Sequence, residues 1–463
     1  MAVKVEESVR TFDVAIIGAG VVGCAIAREL AQYDLSIILL EAKADVGDAT
    51  SKANTAILHT GFDMTPGTLE STLVRRGYSL LKDYAQESGI SLEATGAILV
   101  AWNDDEFANL DGIIEKSRAN GYFDAVRLKP HEIYEREPNL GEGVLGGVLI
   151  PGEWIIDPWN TPIAFATQAK RAGVVVKTST KVKAIRPGNL SHLLETNQGE
   201  FQARYLVNAA GLNSDEIDQE IGYRDFKVIP RRGELMVFDK FARDLVSHII
   251  LPVPSKMGKG VLISPTVFGN VMLGPTAEDL EDKNNSASSK NGLGFLRNKA
   301  SKIMPALLEE EVTAIYAGLR ASTEHSEYQV RLHEPERYVT VGGIRSTGLT
   351  ASMALAEHVS DLLSTSGLVL GTKRKLPAIQ MREIGEKSCR PFKDEALISQ
   401  DSRNGQIICH CEKVTQSEIE DALNSEIPAK DLKGLGRRTR AGLGRCQGFY
   451  CHAALRRLMA SAT

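Results

Sequence analysis

The chain has 463 residues, 43% of them apolar and 24% charged, with a formal net charge of −5. That length supports two or three domains around a substantial core, and that charge gives no general reason to expect nucleic acid or an anionic membrane as partner. No apolar run reaches the roughly 18 residues needed to span a bilayer, and the opening MAVKVEESVRTFD lacks the apolar core of a signal peptide. A cytoplasmic protein is therefore expected, with peripheral membrane association through a partner left open.

In chain order, Val14–Ile17 is a short β-branched run of strand length. Gly18, Gly20 and Gly23 follow in the G-x-G-x-x-G spacing, and an apolar face then recurs through a helix at Ile26 and Leu30. A second buried strand, Ile37–Leu40, ends on Glu41. Each part has a physical task. Gly18 makes the tight turn, Gly20 lets the backbone approach a pyrophosphate, and Gly23 lets helix and strand pack closely. The helix N-terminus directs N–H groups at the phosphates, and Glu41 can accept both ribose hydroxyls. The unit predicts dinucleotide binding. Residues 47–63, GDATSKANTAILHTGFD, are small and polar around Ala56–Leu58 and suit wrapping a ring system and its linker.

Residues 69–88 predict a helix, 96–102 a strand, and 104–120 a helical stretch. GGVLIPGEWIIDPW (146–159) leads into a helix over about 161–173. Two strands are expected within 174–185, and YLVNAAG (205–211) is a buried strand ending on small residues. From about 226 to 317 the segments GELMVFD, HIILPVP, GVLISPT and NVMLGPT alternate with turns, as in an antiparallel sheet. Residues 279–291 are polar and predict a mobile surface loop. YVTVGGI (338–344) is a strand, followed by a Gly-rich turn and the helix GLTASMALAEHVSDLL. A polar connector over about 370–405 leads to the tail, and no internal repeat is present.

Of the six cysteines, Cys24 sits in the first helix as a small buried residue and Cys389 lies in the connector. Cys409, Cys411, Cys446 and Cys451 crowd into the last 55 residues as Cys-x-Cys, a gap of 34, and Cys-x4-Cys. In a reducing compartment such a cluster suggests metal ligation over disulfides. Four thiolates in two close pairs suit either Zn²⁺ or a [2Fe-2S] cluster. Thr415-x-x-Glu418 predicts a capping box opening a helix after the first pair. Lys433, Arg437, Arg438, Arg440 and Arg445 lie between the pairs. They are expected to offset cluster charge, to form a solvated basic face, or to dock an acidic redox partner.

The glycine fingerprint, Glu41, SKANTAILHTGFD, VNAAG and GGIRSTGLTAS, in that order, resemble the FAD-dependent oxidoreductases of the D-amino-acid oxidase/glycerol-3-phosphate dehydrogenase superfamily. The nearest likeness is to the branch of anaerobic-type glycerol-3-phosphate dehydrogenases and L-2-hydroxyglutarate oxidases, over roughly residues 12–365. CHCEKVTQSEIEDAL through RRTRAGLGRCQGFYC resembles the bacterioferritin-associated-ferredoxin-like [2Fe-2S] domain, which favours the cluster over zinc.

The resemblance implies an α/β (α+β) architecture. Residues 12–75, 150–225 and 318–368 would form a discontinuous Rossmann-like FAD-binding domain. Residues 76–149 and 226–317 would form an antiparallel-sheet substrate domain. A linker over 369–404 would join them to a small helical cluster-binding domain, 405–463. FAD would be held by Gly18, Gly20 and Gly23 at the pyrophosphate and Glu41 at the ribose. Thr50, Ser51 and Asn54 would wrap the flavin, Val182 would lie near the adenine, and Ala210 and Gly211 would close the pocket. Gly348, Leu349 and Thr350 would offer a helix N-terminus to the flavin pyrimidine, where reduction leaves negative charge. Thr347 and Met353 depart from the resemblance, since relatives often have Pro there.

Hydride transfer to flavin needs a base for the hydroxyl proton and a clamp for the substrate's anionic end. His59 matches the family's base, and an imidazole titrates near neutrality. Arg320 and Arg345 each follow a short apolar strand and are the clamp candidates, since an Arg fork binds carboxylate or phosphate bidentately. Arg232 and Lys259 are weaker candidates. The expected activity is oxidation of a secondary hydroxyl on a small anionic substrate, with electrons leaving through Cys409, Cys411, Cys446 and Cys451 to a redox partner protein or quinone. Glycerol 3-phosphate leads, followed by L-2-hydroxyglutarate or another 2-hydroxy acid, then an amine. An electron-carrying subunit without substrate turnover is the alternative of another class.

Overall fold

The computed structural model describes residues 11–188, 190–254, 260–387 and 389–462. Its first sheet has a parallel core in the order Val175–Lys177, Ile37–Leu40, Thr11–Ile17, Gly199–Asn208 and Tyr338–Gly342. Antiparallel strands Val182–Arg186 and His192–Thr196 extend it beside Gly199–Asn208, and Gln329–His333 pairs with Tyr338–Gly342. Alternation along the first strand explains why both faces are covered. Val14 and Ile16 pack towards helices Val21–Leu30, Asn160–Arg171 and Gly348–Thr365, while Ala15 and Ile17 pack with Leu206, Ile217 and Tyr338.

The second sheet has nine strands. Val228–Phe238 pairs along its length with Val312–Thr323, and on its other side with Val271–Gly274 and Glu278–Asp279. Beyond lie Leu262–Pro265, Ile249–Pro252, Ala97–Ala101, Gly146–Ile150 and Val126–Leu128. The expectation of an antiparallel sheet holds except for one pairing: Ile249–Pro252 runs parallel to Ala97–Ala101. The boundary expected between 317 and 318 falls inside Val312–Thr323, a continuous strand that carries Arg320.

One expectation needs correction. Residues 279–291 are not a free loop. Asp279 binds Arg231, Lys283 binds Asp215 and Glu216, and Ser289 caps a helix, Lys290–Ile303, that the polar sequence concealed. The helical stretch expected over 104–120 is present, as two helices, Asp104–Ala108 and Leu110–Ala119. The polar connector is pinned to the flavoprotein. The Arg374 N–H donates to the Gln32 carbonyl (2.7 Å), Met381 to Ser88 (2.7 Å) and Glu386 to Val267 (2.8 Å). The tail forms its own small core around Ile419, Leu435 and Leu455. Among the described residues, no helix is long and apolar enough to cross a membrane.

Candidate active site and cluster centre

The glycine fingerprint has the geometry its spacing predicts. Gly18 adopts φ +100°, and a Cβ there would meet the Ala209 carbonyl oxygen at 2.5 Å. A Cβ on Gly23 would sit 1.9 Å from the Gly18 carbonyl oxygen, so helix and turn touch backbone to backbone. A Cβ on Gly20 would find only Ser51 Oγ nearby, at 3.3 Å. Gly20 is the N-cap of Val21–Leu30 and supplies no side-chain cap, while Ser51 Oγ accepts the Val21 N–H at 2.9 Å. This open turn at a helix N-terminus fits a pyrophosphate. Glu41, 9% exposed, accepts from the Ala19 and Lys43 N–H groups at 2.7 Å each; burial raises its pKa against those bonds. Val182 is buried beside the Glu41 turn, whose carbonyl accepts the Thr180 N–H, and Ala210 and Gly211 follow the central strand, with open space around Gly211.

The wrapping loop crosses between the two sheets. Thr50 Oγ1 donates to the Leu319 carbonyl at 2.8 Å, and Asn54 Nδ2 to Ser51 O at 2.7 Å. A Cβ on Gly318 would strike Ala53 O at 2.4 Å, so glycine there admits the loop. Gly348, Leu349 and Thr350 form the first turn of Gly348–Thr365, and Thr350 Oγ1 accepts the His59 N–H at 3.0 Å. Thr347, where relatives often have Pro, bonds Glu70 (2.7 Å) and Tyr328 (2.5 Å), contacts that a proline lacks.

His59 is held by register. Ile57 pairs with Ile155 and Leu58 with Trp154, which sets His59 beside Glu153. Its Nδ1 lies 2.8 Å from Glu153 Oε1 and its Nε2 3.0 Å from Asp63 Oδ1. Thr60 donates to the same Glu153 oxygen through both N–H and hydroxyl, at 2.7 Å each. Burial alone would lower the pKa of His59, but Glu153 and Asp63 together raise it to about 9. The expectation of an imidazole titrating near neutrality is therefore corrected: at pH 7 the ring is an imidazolium donating to two carboxylates.

The two clamp candidates differ. Arg320 donates to the Thr276 carbonyl at 2.8 Å, and burial, with Arg231 adding to it, lowers its pKa to about 10. Among the described residues it forms no ion pair within bonding distance. Arg345 is bound to Glu70 at 2.5 Å. Arg232 is bound to Glu278 and the Ala287 carbonyl, and Lys259 lies outside the described residues. The structure thus joins His59 to the Thr350 turn and Thr50 to the Arg320 strand, but leaves Arg345 already neutralised. Glu153, Asp63 and Glu70 escaped the sequence reading. Their only signal was acidity near HTGFD, GEW and the start of a helix.

In the tail, Thr415 and Glu418 form the expected capping box. Among the described residues, no three His, Cys, Asp or Glu side chains converge as on a single ion. The thiols instead meet across the two pairs, Cys411 with Cys446 and Cys409 with Cys451. Two thiolates for each of two irons suit that arrangement. The backbone N–H of Tyr450, followed by those of Gly448 and Phe449, holds the Cys446 thiol below its usual pKa.

The arginines between the pairs do other work than expected. Arg437 and Arg438 are buried on Asp45, and Arg437 also binds Asp48. Asp45 is pushed up by burial and brought below its usual value by Arg438 and Arg437. Arg440 is buried too, and binds Glu412 (3.2 Å) and Asn270 (2.9 Å). Lys433 and Arg445 are exposed, although Arg445 binds Asp239 at 3.1 Å. Arg440 also lies 4.5 Å over the Phe268 ring, which stacks on Trp159 at 4.9 Å; Trp159 Nε1 donates to Lys52 O at 3.0 Å. Contacts therefore run unbroken from the wrapping loop to the neighbour of Cys411.

A family model described as FAD dependent oxidoreductase matches residues 13–362, and one described as BFD-like [2Fe-2S] binding domain matches residues 407–461. The chain is 36% identical to a glycerol 3-phosphate dehydrogenase of Caloramator mitchellensis, over 95% of this chain and 92% of that one. It is 30% identical to the mitochondrial L-2-hydroxyglutarate dehydrogenase of Homo sapiens, over 58% of this chain and 62% of that one. The FAD-bound, dithionite-reduced L-α-glycerophosphate oxidase of Mycoplasma pneumoniae superposes with a TM-score of 0.76 at 28% identity, covering 81% of this chain and 99% of that one. With cradle, wrapping loop and paired thiols in place, the chain belongs to the FAD-dependent oxidoreductase family and carries a [2Fe-2S]-binding domain behind it.

Proposed function

We propose that the protein is a cytoplasmic dehydrogenase that oxidises the secondary hydroxyl of glycerol 3-phosphate and passes the electrons to a redox partner protein or quinone. Arg320 carries this reading: a half-buried guanidinium that forms no ion pair among the described residues, on the strand that the wrapping loop crosses. Such a group favours an anion, and phosphate suits its fork. FAD supplies a two-electron hydride acceptor, and the cluster supplies single-electron release.

The remaining tasks fall to side chains. His59 takes the hydroxyl proton in its neutral form, with Glu153 and Asp63 fixing the ring and setting the pH at which that form appears. The N–H groups of Gly348, Leu349 and Thr350 stabilise negative charge that develops beside their turn. Arg345, neutralised by Glu70, orients rather than clamps.

L-2-hydroxyglutarate is the second reading, favoured by the likeness to its human dehydrogenase and by a clamp that also suits carboxylate. That likeness covers 58% of the chain, whereas the Caloramator one covers 95% and so reaches into the tail. An anaerobic absorbance titration decides between them. Glycerol 3-phosphate is expected to bleach the flavin bands first and the cluster bands after them. Faster bleaching by L-2-hydroxyglutarate would transfer the assignment, and bleaching by neither would favour an electron-carrying subunit.

A further inference from the structure

Asp45 is 1% exposed and lies in the loop that follows Glu41. Its carboxylate accepts from Arg437 Nη2 (2.7 Å), from Arg438 Nη1 (2.7 Å) and Nη2 (2.8 Å), and from the Val46 N–H (2.9 Å). Both arginines belong to the tail helix Leu432–Thr439, between the two thiol pairs. The same loop is fastened to the glycine fingerprint: the Gly47 N–H donates to the Ala19 carbonyl at 2.8 Å. Asp48 continues the chain of contacts, binding Arg437 and Lys52 at 2.8 Å each. One residue before Lys52, Ser51 accepts from the first N–H of the fingerprint helix.

Other contacts seat the tail without touching this loop. Glu426 binds Arg171, Asp421 binds Arg382, and Asp239 binds Arg445. These pairs are at least partly exposed, and such pairs contribute little each; the buried Arg440–Asn270 bond seats the tail on the second sheet, away from this loop. The Asp45 pairs are buried, so removing one partner strands a charge out of water. The arrangement makes Asp45, the more deeply buried of the two carboxylates that hold the tail arginines, the central joint between the cluster domain and the pyrophosphate loop.

We propose that Asp45 is a positioning residue that couples seating of the cluster domain to retention of FAD, so that each domain tightens the other. This rests on the FAD reading of the Gly18–Gly23 cradle and adds a dependence between the two cofactor regions. Coupling of this kind is reciprocal: if the seated tail tightens FAD, bound FAD must protect the tail to the same degree.

Two measurements on the full chain test it. In the first, FAD release is followed by recovery of flavin fluorescence after dilution, for wild type, D45N and E426Q. D45N is expected to release FAD about tenfold faster, and E426Q, which loosens the tail elsewhere, to change release by no more than about twofold. In the second, hydrogen exchange of wild type is compared with FAD bound and with FAD removed. Protection of residues 432–440 is expected to fall about tenfold without FAD, while helix Gln416–Asn424 keeps its protection as an internal reference. Unchanged release in D45N would reduce Asp45 to a docking contact and overturn the proposal. Equal loss of protection in both tail helices would mean general loosening and overturn it too. The exchange comparison needs no variant, so it decides the matter even if D45N does not fold.

Discussion

Replacing Asp63 by Asn removes one of the two carboxylates that hold the His59 proton while keeping an acceptor oxygen of similar shape. With a pKa of about 9, only about 1% of the ring is neutral at pH 7. A proton acceptor in that state works through a small population. Flavin reduction should therefore rise about tenfold per pH unit from pH 7 and level off near 9. Losing one neighbouring carboxylate lowers a histidine pKa by about 1 to 2 units. D63N should then carry about tenfold more neutral His59 at pH 7, and the inflection should move to between about 7 and 8. The assay is anaerobic stopped-flow reduction of the flavin by saturating glycerol 3-phosphate across pH 6 to 10. A wild-type inflection near 6.5, or a slower D63N with an unmoved inflection, would refute the assignment of His59 as the proton acceptor.

The same pKa carries a stability consequence. Because it is raised in the folded chain, the stabilisation is full below the unfolded value of 6.5 and fades as pH climbs through about 9. The gap in denaturant stability between wild type and H59Q should thus narrow by about 3 kcal/mol from pH 6 to pH 10; a constant gap would contradict the cationic ring. R320M should raise the substrate concentration for half-maximal bleaching by about 100-fold, since a charge-assisted pair is lost, with FAD content unchanged. Lost FAD would instead make Arg320 structural. G23A places a methyl 1.9 Å from the Gly18 carbonyl and should yield protein nearly free of flavin absorbance; normal flavin content would dismiss the cradle. C446S should lose the cluster bands and reduction of a one-electron acceptor, yet still bleach when substrate is added. Failure to bleach would place the cluster region inside the hydride step.

What was legible in the sequence was local. The Val14–Glu41 unit declares itself because its glycines, apolar period and acid lie within one supersecondary element, and the structure reproduces it down to the Gly23 contact. The thiol pairs and the Thr415–Glu418 cap are equally short-range. Helix Lys290–Ile303 was hidden because Gly292 and Gly294 dilute its apolar face and a polar run precedes it. The partners of His59 and of the tail arginines were hidden for a different reason. Glu153 lies 94 residues from His59, and Asp45 lies 392 from Arg437. Residue type announces that such charges need partners, but only the folded register chooses them. Hence the basic tail segment left three readings open in the sequence, none of them the internal seam that most of it forms.

The connector, bonded at Arg374, Met381 and Glu386 to three different parts of the flavoprotein, also decides what kind of traffic the tail can carry. A domain on a free tether must search a volume before each exchange, and its rate follows linker length and solvent viscosity. A stapled domain does not search. On the proposed electron route, each electron would cross a fixed gap within one molecule, at a rate indifferent to protein dilution and to added glycerol or sucrose. Diffusion would then enter only at the encounter with the proposed acceptor.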